Sequence, residues 1–287
     1  MKKVEIKKNE ILEKALAHTI QKATYNDEIF DIAKHIEIEK GNTGFLIRLL
    51  QSFSDANSMV CWIRDGDLNR FKEWSYISAK LNRMVFQYDP NSWLPTYMFF
   101  GAVLSDQAEI IDWYKQFTLP YEVNAASIKD RDNPRQPDFH GYQLILALNG
   151  KWDELRIRCE QILSLEIKKD RKYLIDHRFY LALANGDQIG MENVLTELTS
   201  PKIARVRNYE FAFTFTEHFI ATHATLYAKL AWLSGYKVQI DTPLIPKEWL
   251  PIQPLAEYPE PWAFMTEFDI WQPFDGDWAK WSPEKNE

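Results

Sequence analysis

The chain has 287 residues, 46% of them hydrophobic and 14% aromatic, so it can bury a core of its own without disulfides. Its ten glycines form neither a GxGxxG nor a GxxxxGKS/T motif, which disfavours nucleotide-binding proteins. The formal net charge of −7 argues against a dedicated DNA or RNA binder and allows an acidic face toward a basic protein partner.

Neither the cysteines nor the N-terminal residues indicate an exported protein. Cys61 and Cys159 are far apart, show no CxxC or Cys/His spacing, and are expected to be buried and reduced. The first ten residues carry the positive charge of a signal peptide, but charged residues interrupt every apolar run that follows. No apolar stretch reaches the roughly 18 residues of a membrane-spanning helix. We therefore expect a soluble, cytoplasmic protein.

Helical periodicity dominates the first four fifths of the chain. A first amphipathic helix is predicted after a capping Asn9, and a second after Asn26, with acidic residues in its first turn. Gly41 is expected to end the second helix. An apolar stripe predicts a third helix over about 43–64.

Four polar turns separate predicted helices and recur about every 36–44 residues, at 64–71, 104–111, 148–155 and 184–191. Three of them contain a glycine, which can end one helix in the left-handed conformation, and a following acidic residue can cap the next helix. The spacing fits helical hairpins of the TPR or HEAT size class, without either consensus. We therefore predict an all-α fold, a solenoid-like array of antiparallel helical hairpins.

The longest predicted helix spans about 208–234 and ends at Gly235. Its apolar stripe begins with Phe211, Phe215 and Phe219, and its opposite side carries small residues. Because small residues let a neighbouring helix approach closely, we expect this helix to be central.

The composition changes after residue 242. The segment 243–287 holds eight of the 14 prolines and five of the 11 tryptophans, which excludes a long helix and predicts an extended tail packed across the helices. We accordingly divide the chain into a helical-hairpin region at 1–242 and a C-terminal wrapping tail at 243–287, within one domain.

The six histidines form no local metal or catalytic motif. In EHFIATH, His218 and His223 stand five residues apart, whereas a zincin helix needs a spacing of four. His140 and His177 have acidic neighbours that could orient an imidazole, but no GxSxG motif or Cys nucleophile accompanies them. We predict no catalytic, cofactor-binding or metal-binding residue and no enzymatic activity. A hydrolase assembled from distant carboxylates and histidines stays open as an alternative.

The tail combines acidic and aromatic residues, a composition typical of protein-binding surfaces. Residues 257–287 contain eight acidic residues and two lysines. The partner-binding residues predicted from this composition are Asp269, Trp271, Asp275, Asp277 and Trp278. The alternative is a capping tail whose rings cover the last helices while its acids face water.

Three segments between residues 140 and 262, taken in order, form a pattern that is typical of a known family. They read YLIDHRFYLALANGD, then NYEFAFTFTEHFIATHATLYAKLAWLSGYKVQID, then PLIPKEWLPIQPLAEYP. This combination resembles the immunity protein 49 family of bacterial polymorphic toxin systems. The resemblance covers a little under half of the chain, and none of the segments is a catalytic motif.

The resemblance implies an all-helical, cytoplasmic antitoxin that binds and neutralises a cognate toxin domain. Asp176 and Arg178 of the DHR run join the candidate partner-binding residues. Many such toxins are nucleases with basic clefts, which an acidic inhibitor could fill. We expect no cofactor, no nucleic acid and no membrane as partner. A helical-repeat scaffold without a toxin partner is the other alternative, and the oligomeric state stays open.

Overall fold

The computed structural model describes residues 2–24, 26–39, 41–89, 96–122, 125–165, 171–210 and 216–281. Within these ranges the chain is helical and contains no β-strand, which confirms the predicted all-α fold. The α-helices in chain order are α1 Lys2–Ala23, α2 Asp27–Glu37, α3 Thr43–Ile63, α4 Leu68–Tyr88, α5 Phe100–Ser105, α6 Ala108–Gln116, α7 Leu119–Glu122, α8 Ala125–Arg131, α9 Pro137–Leu148, α10 Trp152–Leu163, α11 Leu174–Ala184, α12 Gln188–Leu198, α13 Pro201–Glu210, α14 Thr222–Leu233 and α15 Ala263–Thr266. Short 3₁₀ segments span Thr96–Phe99, Arg171–Tyr173, Lys247–Trp249 and Gly276–Lys280.

Side-chain caps begin several of these helices, as the sequence predicts. The Oδ1 atom of Asn26 accepts a hydrogen bond from the backbone N–H of Ile29 at 3.1 Å, which begins α2. Asp67 does the same for α4, accepting from Arg70 at 3.0 Å. The predicted cap at Asn9 is wrong, because α1 already begins at Lys2. The lysine- and glutamate-rich segment before Asn9 favours continued helix.

Each of the four predicted turns joins two helices: α3 to α4, α5 to α6, α9 to α10, and α11 to α12. Gly66, Gly150 and Gly186 take the left-handed conformation, with φ of 64°, 63° and 67°. The second turn has no glycine, and Asp106 occupies the left-handed position with φ of 60°. Aspartate tolerates this conformation better than most residues, and the Asp106 side chain is bound from several directions as described below.

The predicted single helix over 208–234 is wrong. The structure has α13 and α14 there, and the described residues between them form a turn in which Phe219 N–H bonds the Thr216 carbonyl at 2.8 Å. The N–H of Ala221 then donates to the carbonyl of Leu244 at 2.8 Å. In a continuous helix the same N–H would donate to the carbonyl four residues earlier. Phe211 and Phe215 lie outside the described residues.

The prediction of a central position is confirmed for α14. Every residue from Thr222 to Ala231 is buried, so the helix is covered all round. It contacts α5 and α12, and the segment after it returns across α4. Because α14 has no solvent-facing side, polar side chains on it must find partners within the protein.

The tail contains only short helical segments, as its prolines predict, and it packs on the helices. Trp249 stacks on Phe71 of α4 with ring centroids 4.2 Å apart and meets Trp62 of α3 at 4.6 Å. At the far end, Trp281 meets Phe117 at 5.3 Å and donates a hydrogen bond to Thr118. In the part of the chain that the structure describes, no helix is long and apolar enough to span a bilayer.

Candidate functional site

A stripe of polar side chains on α4 binds the tail. The stripe consists of Lys72, Tyr76, Lys80, Arg83 and Gln87, whose spacing of four, four, three and four places them on one helical face. The first four are buried, although such side chains ordinarily face water. The tail follows α4 in the same chain direction and supplies the acceptors for this stripe, beginning at Gln253 and ending at Asp275.

The first contact surrounds a buried carboxylate at Asp106. Lys72 Nζ lies 2.8 Å from Asp106 Oδ2, and Lys229 Nζ lies 2.5 Å from Asp106 Oδ1. The backbone N–H of Gln253 donates to the same carboxylate at 3.0 Å. Burial lowers the pKa of the Lys229 ammonium, and the negative charge of Asp106 opposes that shift.

Both lysines also donate to backbone carbonyls of the tail. Lys72 Nζ reaches the carbonyl of Gln253 at 2.6 Å. Lys229, which is fully buried, donates at 3.0–3.3 Å to the carbonyls of Trp249, Leu250 and Pro251. Two cations, one carboxylate and a run of carbonyls therefore satisfy one another, and they fix the start of the tail against α4 and α14.

The second contact is made by Glu260 of the tail. Its Oε1 atom accepts a hydrogen bond from the Tyr76 hydroxyl at 2.6 Å and is paired with the Lys80 ammonium. Burial, together with the neighbouring Glu260 carboxylate, raises the pKa of Tyr76 above its ordinary value, so the hydroxyl stays a donor. One of the acidic residues of the tail is thus used inside the protein.

The third contact is made by Arg83, which is fully buried. Its Nε and Nη2 atoms donate to the carbonyls of Ile270 and Gln272, each at 2.8 Å. The guanidinium also lies over the rings of Trp113 and Phe274, 4.6 Å from each centroid. Burial lowers the pKa of Arg83 to about 10, so the side chain stays charged at neutral pH.

The predicted partner-binding residues of the tail lie on the outer side of this contact. Asp269 and Asp275 are exposed, and Trp271 and Trp278 are half-buried against the core. Asp269 Oδ1 accepts from the backbone N–H of Trp271 at 2.9 Å. The structure therefore brings these four residues together on one tail segment. The side chain of the fifth predicted residue, Asp277, lies outside the described part of the structure.

Three hydrogen bonds to side chains outside the tail fix the orientation of these outer residues. The indole N–H of Trp271 donates to Glu109 of α6 at 2.8 Å. Gln87 donates to the carbonyl of Pro273 at 3.1 Å and to the Asp275 carboxylate at 3.4 Å. The indole of Trp271 is half-buried against the core, and Asp269 and Asp275 are exposed to solvent.

The remaining predicted residues, Asp176 and Arg178, lie on α11, where their partners belong to other helices. Asp176 is buried and forms a two-pronged ion pair with Arg207 of α13, the shorter distance being 2.9 Å. Burial raises the pKa of Asp176, and the charge of Arg207 opposes that shift. Arg178 is 45% exposed and pairs with Glu197 of α12 at 2.7 Å. Of the two, Arg178 is the residue that a partner can reach.

The two histidines with acidic neighbours form a partly buried pair. His140 Nδ1 and His177 Nε2 are 2.7 Å apart, and His177 is fully buried next to the ring of Phe139. Burial, reinforced by the positive charge that His140 can carry, lowers the pKa of His177 well below its usual value. Burial also raises the pKa of the adjacent Cys159 thiol to about 12, which makes it a poor nucleophile.

A hydrolase assembled from distant groups would need one pocket that gathers His140, His177 and a carboxylate such as Glu217. Glu217 and His218 line a largely apolar groove of about 740 Å³ between α1, α13 and residues 242–244. His140 and His177 do not line this groove, so it does not gather the three groups. Across the described ranges, no three His, Cys, Asp or Glu side chains converge to hold a metal ion.

Sequence reasoning missed the residues that bind the tail. The polar stripe of α4 is visible in the sequence as polar residues at helical spacing, but the same pattern ordinarily marks a solvated face. Its acceptors lie about 180 residues later in the chain, as the Lys72 to Gln253 bond shows. The Asp106 carboxylate had one local signal, a turn of the repeat in which aspartate stands where the other three have glycine.

The comparison with protein families gives one match. The family model described as immunity protein 49 matches residues 65–249, which includes α4 and α14 and ends at Trp249. Neither the curated proteins nor the solved structures contain a match. Of the predicted partner-binding residues, Asp176 and Arg178 lie inside the matched range, and those of the tail follow it.

Proposed function

The chain belongs to the immunity protein 49 family, and on that basis we propose that it binds a cognate toxin domain and neutralises it by one-to-one binding. The protein acts by occupying the toxin rather than by catalysis. The partly buried imidazole pair at His140 and His177 and the weakly acidic thiol of Cys159 support this reading. We place the encounter in the cytoplasm of the producing cell and its siblings, where an antitoxin has to meet its toxin.

The observation that carries the proposal is the outer face of the tail. There, the exposed carboxylates of Asp269 and Asp275 flank the half-buried indole of Trp271, with Trp278 further along. Tryptophans that are already partly ordered lose little conformational freedom on binding, which is why such residues dominate interface energies. We call this face, formed by Asp269, Trp271, Asp275 and Trp278, the acidic tail face.

The chemistry of the acidic tail face favours a basic partner. Carboxylates that face solvent attract a positively charged surface at long range and speed the encounter, an effect that the net charge of −7 reinforces. A nuclease, whose cleft is basic because it binds nucleic acid, fits this description. We therefore propose that the acidic tail face covers a basic surface of the toxin.

A charge-neutral variant tests this assignment. Asp269→Asn combined with Asp275→Asn keeps the size of both side chains and one acceptor oxygen on each, and it removes the two negative charges. We expect association with the toxin domain encoded beside this chain to slow about tenfold at low salt, with a weaker salt dependence. Growth rescue on co-expression with that toxin and association kinetics at low and high salt are the measurements.

The matched control changes two exposed acids far from the tail in the sequence. Glu10→Gln combined with Glu13→Gln removes the same charge from α1 and should leave both rescue and the salt dependence as in the wild type. Equal kinetics for the tail variant and the wild type would contradict the tail assignment. No rescue by the wild-type chain would contradict the antitoxin function and favour the alternative of a helical scaffold.

A further inference from the structure

Exposed and buried side chains are neighbours at two places in the tail segment from Phe268 to Asp275. Ile270 and Phe274 are buried, and Asp269 and Asp275 are exposed. This arrangement requires a fixed backbone, because a rotation of the segment would exchange the two sets of side chains. The contacts that fix this backbone therefore also fix the directions in which the carboxylates leave it.

Arg83 makes the largest share of those contacts. It donates to two tail carbonyls two residues apart, at Ile270 and Gln272, and its guanidinium lies over the ring of Phe274 at 4.6 Å and that of Phe268 at 5.1 Å. One side chain thus contacts the segment at four places, namely Phe268, Ile270, Gln272 and Phe274. Asp269 and Trp271 are held directly between these points of contact.

The geometry of guanidinium explains why the residue is an arginine. Its planar fork directs Nε–H and Nη2–H in two fixed directions, which matches two carbonyls at once and leaves both ring faces available for stacking. A lysine ammonium at the same place would be a compact charge without the fixed donor directions of the fork, so it would not match the two carbonyls in this geometry and would stack poorly. Arginine to lysine is therefore a change of geometry at constant charge.

We propose that Arg83 is a positioning residue of the acidic tail face, acting on a toxin through the segment 268–275 without touching the toxin. This inference rests on the proposed function. It assigns to α4, on which no partner-binding residue was predicted, the task of setting the register of the carboxylates and of Trp271. The bond from Gln87 to the Pro273 carbonyl supports the same segment from one turn further along α4.

The test compares two buried arginines. Arg83→Lys is the test variant, and Arg158→Lys is its control. Arg158 is also buried, donates to the Gln143 side chain and to the carbonyl of Arg131, and lies over the Phe139 ring at 4.2 Å. Both substitutions keep the positive charge and remove a planar guanidinium. Of the two arginines, only Arg83 contacts the tail.

The first readout needs no toxin. Chymotrypsin under native conditions should cut Arg83→Lys after the aromatic residues of 268–281 about tenfold faster than the wild type, because the segment opens more often. Arg158→Lys should show no such increase there. If Arg83→Lys destabilises the whole chain, Gln87→Ala provides a milder loosening of the same segment, with a smaller increase expected. Equal cleavage of this segment in all variants would overturn the proposal.

The second readout is a double-mutant cycle with the toxin domain. Asp275→Asn should weaken toxin binding about tenfold in the wild type and less than about threefold in Arg83→Lys. In Arg83→Lys the carboxylate is no longer held in position, so it contributes less to binding before it is removed. A purely structural role would leave the two losses equal, and that result would overturn the proposal. A wild-type chain that fails to bind the toxin would contradict the proposed function, and the cleavage pattern would still decide whether Arg83 fixes the segment.

Discussion

At the scale of single residues, charged side chains occupy two environments, one exposed and one buried. The carboxylates of Asp269 and Asp275 face solvent, where a basic partner can approach them. The cations of Lys72, Lys229 and Arg83 are buried, and tail carbonyls take up their N–H groups. A buried cation without acceptors would be strongly destabilising, so these three residues hold the tail in position.

The buried imidazole of His177 makes stability depend on pH. Its pKa in the folded state lies well below the unfolded value of about 6.5, so the folded form stays neutral while the unfolded form gains a proton. The stability that His177 contributes is therefore present above about pH 6.5 and is lost as the pH falls toward the folded pKa.

His177→Gln isolates this effect. A glutamine amide can replace Nε2 in the contact with His140 but does not titrate. Relative to this variant, the wild type should lose up to about 1.4 kcal/mol of unfolding free energy per pH unit below the unfolded pKa of about 6.5, measured by urea denaturation between pH 7 and pH 5. His218→Gln makes the same exchange at a 43% exposed position and is the control. A constant difference between His177→Gln and the wild type across this range would contradict the account.

At the scale of elements, α4 connects the helical region to the tail. One side of it packs on α3, and its polar stripe binds the tail from Gln253 to Asp275. The turn between α5 and α6 adds the Asp106 carboxylate, and α14 adds Lys229. Four elements that are distant in sequence therefore meet at one buried carboxylate.

Removing that carboxylate should destabilise the whole arrangement. Asp106→Asn keeps a residue that tolerates positive φ but leaves two buried ammonium groups without a counter-charge. We expect a loss of about 3–5 kcal/mol in the free energy of unfolding, measured by urea denaturation.

Adding Lys72→Met to Asp106→Asn should restore part of the loss, because one uncompensated charge is removed. Asp153→Asn, at an 88% exposed carboxylate paired with Arg156, is the control and should leave the unfolding free energy unchanged. A loss for Asp106→Asn no greater than that of the control would mean that the buried pairs contribute little.

Local sequence signals predicted those turns and helix ends whose conformation depends on residues nearby in the chain. The left-handed glycines Gly66, Gly150 and Gly186 and the capping Asn26 all act within a few residues, and the turns and α2 follow from them. The break between α13 and α14 was not predictable in this way. The apolar pattern continues through it, and the bond that marks it, from Ala221 to Leu244, joins residues in different elements.

At the scale of the whole molecule, the tail is part of the packed structure and also carries the proposed binding surface. Its inner side chains, such as Trp249 and Phe274, enter the core, and its outer ones form the acidic tail face. Composition predicted a packed, acidic and aromatic tail. It could not separate Glu260, which is used internally by Tyr76 and Lys80, from the exposed Asp269, because only the tertiary contacts distinguish them.

The central claim is that the acidic tail face is the surface that a toxin covers. Hydrogen–deuterium exchange of the chain, with and without a candidate toxin domain from a neighbouring gene, tests this most directly. We expect the toxin to slow exchange at the backbone amides of residues 268–278 and to leave α1 unchanged. Protection confined to other helices, with residues 268–278 exchanging as in the free protein, would contradict the account.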